Sequence, residues 1–187
     1  MLVGWVKEGD AVGFAHPGQT INLTWQGVLS IPRAIASAGP SGSRTLLTYP
    51  VEAVESLRGP AQPIAGGFGR TAAVPAMAFD LDATLPLGGH GEGSFTISIL
   101  SGPAAAAADE GDGGGAEPLL QIDLQVDNGT GQLCVSGAAA AGCAATSAPF
   151  ELPASATELA VRVLADRSIV EIFLGRGLVA YTARVYP

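Results

Sequence analysis

The chain has 187 residues, enough for one large domain or two small ones with a real core. Its formal net charge of −8, with Lys7 the only lysine, would repel phosphate backbones and excludes nucleic acid and anionic membrane surfaces as partners. Hydrophobic residues make up 48%, yet no apolar run approaches the roughly 18–20 residues that span a bilayer, and "MLVGWVKEGD" lacks a signal peptide's basic start and apolar middle.

Short apolar or alternating runs bounded by Gly and Pro predict an all-β chain. In chain order the expected strands are 2–7, 27–35, 44–49, 72–82, 94–100, 119–126, 131–136, 159–164, 169–174 and 178–186. One helix interrupts them. In "YPVEAVESLRG" Pro50 suits a first helical position, Val51, Val54 and Leu57 recur at helical spacing, and Gly59 can end it. The following "RGPAQP" resists regular structure and places a boundary near residue 62. Residues 102–117 and 137–146 are low-complexity loops, the second with a polyalanine run that could form a brief helix.

The last 30 residues are the clearest. Leu159, Val161 and Val163 share one strand face, as do Val170, Ile172 and Leu174, and then Val179, Tyr181, Ala183 and Val185. "ADRS" and "GRG" supply the turns of a three-stranded meander, and the strands after residue 62 suit a two-sheet β-sandwich. Within "ADRSIVEIF" Asp166 and Glu171 invite comparison with a glycosidase carboxylate pair, which in retaining enzymes stands about 5–5.5 Å apart. Their spacing of five is odd, so strand alternation points them to opposite faces. The expectation is structural: Asp166 shapes the turn, and Glu171 caps or pairs at an exposed sheet surface.

The two cysteines, Cys134 and Cys143, are nine positions apart; they are either a small-loop disulfide or two free thiols. With His16 and His90 far away they give no metal-ligand spacing, and no glycine motif cradles phosphate, so neither metal nor cofactor is expected. The sequons at Asn22 and Asn128 allow glycosylation of a secreted protein. Together with the cysteines they lean toward an extracellular or vacuolar location.

Several of these stretches resemble one family in order. "LVGWVKEGD", "WQGVLSIPRAI", "LLTYPVEAVESLR" and the pair "ADRSIVEIF" and "TARVYP" are similar to the C-terminal part of glycoside hydrolase family 32, the invertases, fructanases and β-fructofuranosidases. The resemblance implies that residues 1–49 are a partial fifth blade of a five-bladed propeller, 50–62 a linker, and 63–187 the family's β-sandwich. It also implies a parent activity, retaining hydrolysis of terminal β-fructofuranosides such as sucrose or fructan. The family's catalytic motifs, Asn-Asp-Pro-Asn-Gly, Arg-Asp-Pro and Glu-Cys, have no counterpart here, since the chain contains no Asp-Pro, Arg-Asp or Glu-Cys dipeptide. No catalytic residue is therefore assigned. The missing blades, or another chain supplying them, become the expected partner.

Trp5 lies where the family approaches substrate, and its indole suits either a sugar ring or a blade core. Glu8 and Asp10 follow it, as acids that either touch a hydroxyl or sit solvated in a turn. Trp25 and Arg33 belong to the blade-strand match; Arg33 either pairs with a carboxylate or stands exposed. A rival reading from another class is a free-standing carbohydrate-binding or protein-interaction sandwich, because this fold alone does not settle function.

Overall fold

The computed structural model describes residues 1–6, 27–64, 78–89, 91–100, 118–137 and 145–185. Glu8, Asp10, His16, Asn22, Trp25, His90 and Cys143 lie outside them. An N-terminal ribbon pairs β1 (Trp5–Val6) with β2 (Val28–Leu29). A hairpin of β3 (Arg33–Ala38) and β4 (Thr45–Pro50) follows, with Arg33 opposite Pro50.

The single strand expected over 27–35 is broken in two at Pro32, which has no N–H to give a ladder. Backbone bonds then leave in different directions. Ser30 N–H donates to the Gly4 carbonyl, and the Pro32 carbonyl accepts from Val51 N–H. Ile31 N–H donates to the Glu171 carboxylate, 140 residues away.

The expected two-turn helix is a 3-10 helix, Glu52–Leu57, and Pro50 closes β4 instead of opening the helix. Val51, Val54 and Leu57 recur every three residues, which fits three residues per turn better than 3.6. Only Val54 among the helical residues is buried, and Leu57 is 80% exposed, so there is no apolar stripe to drive an α-helix. Arg58 is already extended before Gly59 is reached.

Two antiparallel sheets make a β-sandwich. One runs β13–β12–β11–β5, from Val179–Arg184, Ile169–Leu174, Glu158–Asp166 and Ala78–Pro86. The other runs β10–β8–β7–β6, from Phe150–Glu151, Thr130–Gly137, Pro118–Asp127 and Gly93–Leu100, with the short β9 (Ala145–Thr146) also on β8. The alternation read from sequence holds in the core. Leu120, Ile122, Leu124 and Val126 of β7, with Leu133 and Val135 of β8, pack against Leu159, Val161 and Val163 of β11 and Val170, Ile172 and Leu174 of β12. Fully burying each such side chain contributes about 1.5–3 kcal/mol. Of the strand expected over 72–82, residues 72–77 lie outside the described residues, and the rest belongs to β5, which runs on to Pro86. The loop expected over 137–146 ends in β9, whose two residues pair with Val135 and Cys134.

Candidate functional site at the outer face of the C-terminal meander

The register of the meander decides which side chains share the outer face. Arg162 pairs with Phe173 and with Asp82, and Leu164 with Glu171 and Asp80. Glu171 in turn pairs with Thr182. Paired residues project to the same side, so Asp80, Asp82, Arg162, Glu171, Phe173 and Thr182 lie together on the side away from the core.

This face is covered by the N-terminal hairpin and the 3-10 helix. The backbone docks first: Thr48 N–H donates to the Gly177 carbonyl at 2.9 Å. Gly177 has φ +104°, and a Cβ there would come within 2.8 Å of the Thr48 carbonyl oxygen. Glycine is needed both for the turn and for the approach of β4.

Two charge networks flank an aromatic pair. In the first, the Glu171 carboxylate accepts from Ile31 N–H and from Arg33, whose Nε lies 3.1 Å from Oε2. A second Arg33 nitrogen bonds both Glu171 and the Thr182 hydroxyl. The Arg33 guanidinium lies over Phe173, 5.1 Å from the ring centroid. Phe173 meets Tyr49 edge-on at 5.5 Å, and the Arg162 guanidinium lies over the Tyr49 ring, 5.7 Å from its centroid. In the second network Arg162 grips Asp80 with two bonds of 3.0 and 2.7 Å and reaches Glu55 at 2.6 Å. Arg58 bridges Glu55 and Asp80 from outside, at 3.1 and 3.0 Å. The ladder thus reads acid, arginine, aromatic, aromatic, arginine, acid, and alternate rungs come from the two ends of the chain.

Electrostatics follow from burial and pairing. Burial alone would pull the Arg162 guanidinium down, but hydrogen bonds to Asp80 and Glu55 overcome it and hold the group still more firmly protonated. The bond from Arg162 holds the Glu55 carboxyl below its ordinary range. Burial pushes the Tyr181 phenol up. Among the described residues no buried side-chain nitrogen or oxygen lacks a partner. Glu171 is therefore committed to accepting hydrogen bonds, and the face is built to hold two segments together.

The expectation of an exposed Glu171 is overturned: the residue is 3% exposed. The parity reasoning also fails across the hairpin. Asp166 pairs with Ile169 and Leu164 with Glu171, so Asp166 and Glu171 share a face as diagonal neighbours, roughly 7–8 Å apart. They still form no catalytic couple, because Asp166 is exposed at the strand end and Glu171 is sealed under Arg33. Arg33 takes the paired alternative left open by the sequence. Asp80, Glu55 and Arg162 were missed. One signal was legible: Phe173 puts a large apolar group on the parity of Glu171, so "IVEIFL" reads as a strand buried on both faces.

Other singled-out residues lie elsewhere. Trp5, in β1, is 64% exposed, and its indole rests on Gly27, where a Cβ would come within 2.0 Å of Nε1. Asn128 occupies the exposed tip of the β7–β8 hairpin. Cys134 is disulfide-bonded, and the sequence holds one other cysteine, Cys143. No described helix is long and apolar enough to cross a membrane.

Residues 120–187 match the family model described as "Glycosyl hydrolases family 32 C terminal". This part of the chain is similar to the family 32 C-terminal domain. The match begins in β7, whereas the sandwich also includes β5, paired with β11 over nine residues, and β6. Among solved structures the chain is similar to an exo-inulinase from Aspergillus awamori, at 20% identity over 99% of this chain and 34% of that one, with a TM-score of 0.56. That likeness shows a shared fold. Further similarities are to a β-fructofuranosidase from Schwanniomyces occidentalis (15% identity, 87% of this chain, 35% of that chain, TM-score 0.49) and to fructan 1-exohydrolase IIa from Cichorium intybus (19%, 87%, 36%, 0.47). The chain spans about a third of the length of these structures. No curated protein is significantly similar to it.

Proposed function

We propose that this chain is the C-terminal part of a β-fructofuranosidase-type glycosyl hydrolase and that the carboxylates of the reaction lie outside it. Residues 1–49 are read as the end of a propeller, 50–62 as the linker and 63–187 as the sandwich. The observation that carries this reading is the seam itself: Glu171, inside the motif that resembles family 32, is buried against Arg33 and Ile31 of the stretch read as blade. The sandwich acts as a buttress that fixes the last blade.

Exposed apolar residues of the N-terminal segment support an absent neighbour. Trp5, Leu29, Ile35 and Leu46 are exposed on two two-stranded sheets, too few strands to be stable unaided, and Leu2 and Val3 are exposed just before them. Further blades, or another chain supplying them, would cover these residues. Trp5, seated on Gly27 with its face open, is then placed to stack on a sugar ring of sucrose or fructan.

The test is fructose release from sucrose and inulin. The purified chain should release none, because nothing in it forms the fructosyl-enzyme intermediate. A protein extended through a continuous upstream reading frame should be active. Turnover by the chain alone would overturn the reading. Inulin retention without turnover would favour a free-standing binding module.

A further inference from the structure

We infer that Asn128 is an N-glycosylation site, and that the folded sandwich presents it on the sheet opposite the one against which the described N-terminal residues pack. The sequon Asn128-Gly129-Thr130 forms the turn between β7 and β8, whose last rung pairs Asp127 with Thr130. Asn128 takes the left-handed conformation, φ +48°, which asparagine tolerates at such a turn. Its side chain is exposed; among the described residues Nδ2 donates only to the neighbouring Asp127 Oδ1, at 3.0 Å on the surface. The Thr130 hydroxyl is exposed as well, with weak bonds of 3.2 and 3.3 Å to Glu151.

The backbone of the tip is held while its side chains are free to carry a substituent. Gly129 N–H donates to the Gly91 carbonyl at 3.3 Å, and Leu152 N–H donates to the Gly129 carbonyl at 2.8 Å. A sugar on Nδ2 would displace one surface hydrogen bond and no core contact. A second, independent observation points to the compartment where this chemistry occurs. Cys134, on the same strand as Thr130, is disulfide-bonded, and disulfides persist where the secretory route is oxidising.

The transfer needs a lipid-diphosphate-linked oligosaccharide, supplied by that route. The Asn128 amide nitrogen attacks the anomeric carbon. The Nδ2–C1 bond forms, the C1–O bond to the diphosphate breaks, and the lipid diphosphate leaves with the bonding pair while the amide loses one proton. The product is a bulky, solubilising surface group.

The full chain should be secreted from yeast or insect cells behind a cleavable leader, then deglycosylated with an amidase in heavy-oxygen water. The peptide containing residue 128 should gain one heavy oxygen as Asn128 becomes aspartate. Asn-Gly also deamidates spontaneously, so only label acquired with the amidase counts. Label should persist in Thr130→Ser, which keeps the sequon, and vanish in Thr130→Ala. A secreted wild-type chain with Cys134 oxidised and Asn128 unmodified would overturn the inference, whatever either variant does.

Discussion

Replacing Glu171 by alanine tests the seam directly. The Glu171 side chain is 4% exposed and that of Arg33 11%, so the guanidinium cannot simply swing into water when its acid is removed. Removing one partner of such a buried pair costs about 3–5 kcal/mol, because the remaining charge is left uncompensated. The substitution also strips Ile31 N–H of its acceptor, itself a loss of about 1–3 kcal/mol if water cannot enter. The two penalties overlap, since relaxation at Arg33 would admit water to Ile31. We expect a total near 4 kcal/mol, within the roughly 2–5 kcal/mol expected for Ile172→Ala in the core behind it. Urea melts of the two variants supply the comparison. The second arm is Arg33→Met with Glu171→Leu, which removes both charges and keeps apolar volume against Phe173. It should cost much less than Glu171→Ala alone. Amide exchange should rise across residues 31–35 and 45–50 in Glu171→Ala and stay unchanged there in Ile172→Ala. A loss of about 1 kcal/mol or less for Glu171→Ala, the value of an exposed carboxylate, would refute the buried-pair argument.

Acid should loosen the other network. Glu55 has a folded pKa below its ordinary value, so its contribution is present above the unfolded carboxylate range and lost as pH falls through the folded value. Glu55→Gln should therefore flatten the fall in melting temperature between pH 7 and acid; an unchanged pH profile would remove Glu55 from the clamp, and since its side chain is 44% exposed only the direction is predicted. Gly177→Ala forces a side chain onto φ +104° and against Thr48, and should destabilise by about 1–3 kcal/mol or more, whereas a neutral urea midpoint would mean that β4 is not docked there. Taking Cys143 as the partner of Cys134, a loop this short gives a disulfide contribution of about 2–3 kcal/mol, read as the difference between the melts of the chain and of Cys134→Ser. Equal melts would show that the loop is not restrained in the unfolded chain.

The sandwich was legible because its strands keep strict alternation over many residues. Leu120 to Val126 and Leu159 to Val163 have one dry face each, and period two is the direct imprint of that burial. The seam was harder to read. Periodicity tells that a residue leaves the core face, but not whether water or another segment waits on the other side. Glu171 looked like a solvated residue by that rule, and only Phe173 beside it on the same parity argued otherwise. The pairing of Asp166 with Glu171 was misjudged for a simpler reason. A two-residue turn reverses the chain, so residues on facing strands share a side when their numbers sum to that of a ladder pair or differ from it by an even step. β9 and β10, at two residues each, are too short to show any period, and the three-residue spacing of Val51, Val54 and Leu57 was compatible with two helix types.

Burying charge at this seam adds little net stability over a hydrophobic replacement, yet it restricts what β12 can do. From Val170 to Leu174 every residue is buried, in two different environments. Val170, Ile172 and Leu174 enter the dry core, while Glu171 and Phe173 meet Arg33 and Tyr49. A wholly apolar strand covered on both sides would accept a one-residue slip at small cost, because either parity could face either way. With Glu171 present, the same slip would drive a carboxylate between the sheets and set an aliphatic side chain against a guanidinium and the Ile31 N–H. That costs several kcal/mol at each end of the exchange. The single acid in "ADRSIVEIF" therefore pins the register of the central strand, and through Arg33 and Ile31 it pins the segment packed on that strand. A residue that looks like half of a catalytic pair acts as the key that orients the N-terminal segment on the sandwich.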